Sequence, residues 1–147
     1  TDRALTKERS TLHFGDWTSQ GYYHYPGSIV YKFAVPPREK EEHRYILDMG
    51  EFEATLIELK VNEKPVTYLL KDSARKVDIT DYLLDRENTI ELCVVGSPRN
   101  MFGPFHQTYT GCSRISWEDF RTTGRFYTPD YVLKPYGLMG QITIFMK

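Results

Sequence analysis

The chain has 147 residues, enough for one domain with a substantial core. Its formal net charge is -1 with acids and bases interspersed, which gives no electrostatic reason to expect a nucleic-acid partner, since a phosphate backbone asks for a basic face, and no apolar run approaches bilayer-spanning length. Eleven Tyr, eight Phe and two Trp form an aromatic content that suits both strands and flat recognition surfaces. Residue 1 is Thr, so the sequence reads as a processed product or a domain cut from a longer protein.

In chain order, residues 1–10 read as a leading segment and about 11–147 as one β-rich unit. Trp17, Tyr22, Tyr23, His24 and Tyr25 form a first aromatic cluster, closed by Pro26-Gly27. Ile29, Tyr31, Phe33 and Val35 then alternate with Val30, Lys32 and Ala34, the period-two pattern of a strand with one face on a core. The charge run Pro36–His43 reads as a solvated loop. His43–Met49 is the next strand candidate. Ile57, Leu59 and Val61 alternate with Glu58 and Lys60, and a hairpin at Asn62-Glu63 leads to Val66–Leu70, since Asn tolerates the left-handed conformation of a tight turn. Asp78–Leu84 offers one short helical turn with Thr80 as its N-cap. Ile90, Leu92 and Val94 alternate with Glu91 and Cys93, with Cys93 read as a core residue. Gly96–Gly140 is a long irregular loop rich in Gly, Pro, Tyr and Arg, and long ordered loops are often functional. Gly140–Met146 is the last strand candidate. No helix is long enough for a parallel crossover, so the expected fold is all-β, an antiparallel β-sandwich.

Two cysteines, Cys93 and Cys112, do not make a disulfide framework. One bond between them and two idle thiols both fit, and the second is the simpler expectation. His13, His24, His43 and His106 lack zinc spacing. The carboxylates are scattered among turns, no pair is set to flank a glycosidic bond, and no nucleophile or phosphate motif is present, so the expected domain is not itself an enzyme.

Carbohydrate binding has the better chemical case. A pyranose presents a C–H face that an aromatic ring covers and rim hydroxyls that Arg, Asn and His bond. Trp17, Tyr23 and Tyr25 supply such groups from the first cluster. Arg99, Asn100, His106 and Trp117 supply them from a second, which also contains Tyr109. Arg125, Tyr127 and Tyr131 are weaker candidates of the same kind. Each has a structural alternative: Trp17 and Tyr25 as plugs of the sandwich end, Arg99 and Asn100 as braces of the long loop.

The order of landmarks resembles the galactose-binding-like jelly roll that accompanies many glycoside hydrolases. It rests on Trp17, Gly21-Tyr22-Tyr23, Tyr25-Pro26-Gly27, Tyr45–Gly50, Val77–Leu83 and Asn88–Leu92, in that order. Gly96-Ser97-Pro98-Arg99-Asn100-Met101-Phe102-Gly103-Pro104-Phe105-His106 resembles a loop in the C-terminal jelly rolls of large bacterial glycosidases, and Pro135–Gly140 fits the same picture. The hairpin departs from the usual Asn-Gly by carrying Asn62-Glu63. The resemblance implies a noncatalytic carbohydrate-binding module or accessory domain of a polysaccharide-degrading enzyme, with a sugar polymer and the catalytic domain of the same polypeptide as partners. It further implies an extracellular, cell-surface or periplasmic location, and allows a structural calcium ion with no required cofactor. A purely structural domain packed on the catalytic domain and a free-standing lectin-like module are the alternatives.

Overall fold

The computed structural model describes residues 11–39, 42–108 and 115–147. Strands β1 (Ser28–Val35), β2 (Tyr45–Asp48), β3 (Phe52–Glu53), β4 (Leu56–Val61), β5 (Lys64–Leu69), β6 (Lys76–Asp78), β7 (Asn88–Val95), β8 (Gly137–Leu138) and β9 (Thr143–Met146) are joined by three 3-10 turns and one four-residue helix, α1 (Arg99–Phe102). A four-stranded sheet runs β1-β7-β4-β5 and a three-stranded sheet β6-β2-β9, with a short ribbon of β3 and β8. All the named pairings are antiparallel. The fold is an all-β sandwich.

The alternation in the sequence places the core. In β4 and β7 every second residue is buried: Ile57, Leu59 and Val61 from one, Ile90, Leu92 and Val94 from the other. They share one core cluster with Tyr45, Leu47, Met49 and Phe52. A side chain flips faces with each residue along a strand, so Cys93 lies on the outer side of its sheet. It is half-buried, pairs across to Val30 and Glu58, and is a free thiol, which corrects its expected place in the core. Cys112 and Tyr109 lie outside the described residues.

The Asn62-Glu63 hairpin forms, with both residues in the left-handed region at φ 50° and 65°. Such a turn matches the twist of its strands, and glycine is the usual second residue because it adopts this conformation without a Cβ clash. Asn62 is held there by its side chain. Nδ2 donates to Tyr82 O (2.9 Å) and to Asn88 Oδ1 (2.7 Å), and Oδ1 accepts from Thr89 N–H (3.0 Å).

The helical turn after β6 forms at Thr80–Tyr82, but Thr80 is inside it and does not cap it. Asp78 Oδ1 instead accepts from Thr80 N–H (3.0 Å) and Oγ1–H (2.6 Å), while Thr80 Oγ1 accepts from Tyr45 N–H (2.9 Å). The Asp78 side chain closes its own local turn before the helical one can be capped by a hydroxyl. Those bonds hold the Asp78 carboxyl below its ordinary range.

Candidate functional site

β1 begins and β7 ends at the same edge of the sandwich, since Ser28 pairs with Val95. The segment before β1 and the long loop after β7 therefore emerge side by side, and Gly96 N–H donates to Gly27 O across the junction (3.0 Å). This topology brings the two aromatic clusters of the sequence together.

Trp17 and Asn100 are taken up by the fold. Trp17 is 1% exposed and its indole Nε1–H donates to Tyr31 hydroxyl (2.8 Å). Its ring lies against the backbone of Gly96 and Gly137, where an added Cβ would sit 3.2 Å and 3.0 Å from ring atoms. It presents no surface to a ligand and plugs the end of the core. Tyr25 packs edge-on against it at 6.3 Å between ring centres and donates its hydroxyl to Ser28 O (2.9 Å). Asn100 is buried, and its amide serves both backbone groups of Lys134, donating to the carbonyl (2.6 Å) and accepting from the N–H (2.8 Å). It braces the loop as a strand partner would.

At the surface the candidate His106 and the weaker candidates Tyr127 and Tyr131 meet Phe105 and His24. Phe105 and Tyr131 stack at 5.0 Å and 20°. His106 meets the Tyr131 ring edge-to-face at 5.1 Å and lies 6.3 Å from Tyr127. His24, from the segment before β1, contacts Phe105 at 5.7 Å and Tyr131 at 6.4 Å. A short irregular ladder fixes the group: Val132 N–H to Phe105 O (2.7 Å), Thr128 N–H to His106 O (3.0 Å) and Thr108 N–H to Phe126 O (2.8 Å). Both imidazoles are oriented by main-chain carbonyls, which accept only. His24 Nδ1–H therefore donates to Asn100 O, and His106 Nδ1–H to Asp130 O (3.2 Å), which leaves Nε2 of each ring without a hydrogen-bond partner among the described residues. Tyr131 remains 63% exposed. In the sequence Tyr131 is one of the weaker candidates, His24 a member of the first cluster and Phe105 part of the loop after β7; only the tertiary contact brings the three together.

The remaining candidates lie on the same two segments, before β1 and after β7. Tyr23 is exposed beside His24. Trp117 opens the 3-10 turn Trp117–Phe120, is 68% exposed, and carries the Arg121 guanidinium over its ring at 4.0 Å. The turn is fixed by Ser116 N–H donating to Asp119 Oδ2 (2.7 Å) and by Gln107 Nε2–H donating to Asp119 O (2.8 Å). Arg99 is half-buried, with Nη1 enclosed and without a hydrogen-bond partner among the described residues. Arg125 is exposed and lies over Phe126. Among the described residues no group of three or more His, Cys, Asp or Glu is placed to hold a metal, and no helix is long and apolar enough to cross a membrane.

No family model and no curated protein matches this sequence. Its structure is similar to that of a rhamnosidase from Novosphingobium sp. PP1Y, with TM-score 0.51 and 22% identity over 82% of this chain and 11% of the rhamnosidase. It is similar also to a β-D-glucuronidase from Dictyoglomus thermophilum, with TM-score 0.52 and 19% identity over 84% of this chain and 21% of that enzyme. Both are glycoside hydrolases, and the chain spans about a tenth to a fifth of their length. At this level of identity the likeness establishes the fold.

Proposed function

We propose that this chain is a noncatalytic accessory domain of a carbohydrate-degrading enzyme, of galactose-binding-like type, that holds glycan on the aromatic face around Tyr131. The observation that carries this reading is the exposed Tyr131 ring, stacked on Phe105 and bordered by two imidazoles whose Nδ1 atoms are already committed. Such a ring covers the C–H face of a pyranose, while each free Nε2 bonds a rim hydroxyl. The glycoside hydrolase neighbours, in which a domain of this size is a small fraction of the chain, supply the setting. In that setting the domain works outside the cytoplasm, where polymeric substrates are met.

Affinity electrophoresis of the chain in gels containing plant, host or microbial glycans tests the proposal. At least one glycan should retard the wild type, and Tyr131→Ala should weaken retention about tenfold, the equivalent of ~1.4 kcal/mol of lost stacking. Its melting temperature should barely move, because the ring is mostly exposed. Absence of retention on every glycan, or full retention by Tyr131→Ala, would remove the basis for the proposal.

A second reading is favoured by a different observation. Met101, Phe102 and Phe120 are 50%, 69% and 58% exposed on α1 and the Trp117–Phe120 turn, and such apolar groups suit a protein surface better than a sugar. On this reading the face packs against a neighbouring domain of the same polypeptide. Phe102→Ser should then lower the stability of the whole enzyme while leaving glycan retention by this chain unchanged.

A further inference from the structure

We infer that the glycan held beside Tyr131 is uncharged, that its hydroxyls donate to His24 and His106, and that acidic glycans are turned away; this rests on the carbohydrate-binding reading above. The main chain sets the polarity of the site. A carbonyl oxygen accepts hydrogen bonds and never donates, so the Asn100 and Asp130 carbonyls place the proton of each neutral imidazole on Nδ1. A neutral imidazole carries one N–H, and Nε2 is then a lone pair that only accepts. Both lone pairs are within reach of a ligand. His24 is exposed, and the Nε2 of half-buried His106 is not enclosed. The two rings come from separate segments, one before β1 and one after β7. They lie 6.4 Å and 5.1 Å from the Tyr131 ring centre and nearly perpendicular to it, at 77° and 76°. A pyranose stacked on Tyr131 is therefore bordered by acceptors from both segments.

The rest of the face has the same sign. The open face of an aromatic ring is the negative side of its quadrupole. Asp130, exposed and next in sequence to Tyr131, adds a carboxylate, with Oδ2 3.5 Å from Thr128 Oγ1. Three cations after β7 lie over other rings: Arg121 over Trp117, Arg125 over Phe126 and Lys134 over Tyr136. Among the described residues no cation lies over Tyr131 or Phe105. The Tyr131 hydroxyl serves either role and decides nothing. A sugar hydroxyl has a proton to give to each lone pair. A carboxylate or sulfate has none, and it meets acceptors and a like charge where it needs donors. Contacts of matching sign are how a site refuses a wrong ligand.

Two measurements test this. The first needs no ligand. Long-range proton–nitrogen NMR of the imidazoles near neutral pH, assigned with His24→Ala and His106→Ala, should show the proton on Nδ1 and a bare Nε2 in both rings. A proton on Nε2 of either ring overturns the inference. The second is isothermal titration with oligosaccharides of glucose, galactose and mannose, each paired with its form oxidised at the primary hydroxyl to the uronate. At least one neutral oligosaccharide should bind, and its oxidised partner should bind about tenfold or more weakly. The double variant His24→Lys, His106→Lys replaces both acceptors with cationic donors and should close that gap to within about threefold or reverse it. Equal affinity of wild type for the two forms, or tighter binding of the oxidised one, overturns the inference. A gap left intact in the double variant does the same. In either case binding that Tyr131→Ala weakens spares the reading on which the inference rests. Binding to none of the panel, neutral or oxidised, defeats both.

Discussion

Replacing Trp17 with Phe separates the core of this domain from its surface. The indole is 1% exposed and donates to the Tyr31 hydroxyl at 2.8 Å. Losing that bond leaves a largely buried phenol without its donor and costs about 1 kcal/mol. The smaller ring also leaves a void. Two of its walls are backbone, at Gly96 and Gly137, so the space cannot close by a change of side-chain rotamer. Incomplete collapse of that kind adds about 1–2 kcal/mol. The expected loss is therefore about 2–3 kcal/mol, or a fall in melting temperature of about 5–10 °C for a domain of this size. Urea unfolding should be followed by far-ultraviolet circular dichroism, because the substitution leaves Trp117 as the one remaining tryptophan of the chain. The midpoint should drop with the slope unchanged, the signature of lost stability without a change in compactness. Glycan retention at a temperature where the variant is folded should equal that of wild type. A variant within about 0.5 kcal/mol of wild type that nevertheless loses retention would show that Trp17 meets ligand, and the assignment to the core would fail.

Two further predictions concern the frame of the domain. Asn88 is fully buried; its Oδ1 accepts from Asn62 Nδ2–H and Leu84 N–H, and its Nδ2–H groups are directed at Pro36, Leu84 and Arg86 carbonyls. Asn88→Ala strands all of these at once and should cost about 3–5 kcal/mol in urea unfolding; a loss below 1 kcal/mol would show that water replaces the amide. Tyr31 and Tyr136 both have raised pKa values, chiefly through burial, with smaller opposing contributions from the Trp17 and Ser97 hydrogen bonds. The unfolded chain releases these protons first, so their contribution is fully present below about pH 10 and is lost as pH rises through the folded values. Urea midpoints should hold up to about pH 10 and fall above it, less steeply in Tyr136→Phe; midpoints that rise across that window contradict the assignment.

The strands were legible because a half-buried strand writes its burial into the sequence with period two. Ile57, Leu59 and Val61 point inward, and so do Ile90, Leu92 and Val94, as their alternation requires. The same rule misplaced Cys93 only because it was read by its apolar character and not by its phase between Leu92 and Val94. Thr80 shows a limit of a different kind. A hydroxyl before a helical turn is a good cap, but the Thr80 hydroxyl is taken by Asp78, to which it donates, and by Tyr45 N–H, from which it accepts, and the second partner is too distant in sequence for a local pattern to show.

The working surface was less legible. Composition and order pointed to the segment before β1 and to the loop after β7, and both do contribute. Which rings face water was decided elsewhere. Trp17 and Tyr131 are both large aromatics in irregular segments, and nothing in their neighbours says that one is sealed and the other open. Trp17 is buried because Tyr136 O accepts from its backbone N–H (2.7 Å), far along the chain, and because two glycines let main chain approach its ring. Tyr131 stays exposed because Phe105, His106 and His24 approach it and leave much of the ring uncovered. The sequence by itself therefore determined the sheets, since strand period and core burial are the same property. The tertiary structure alone decided the site, since exposure of an aromatic in a loop depends on contacts between residues as distant as His24 and Asn100.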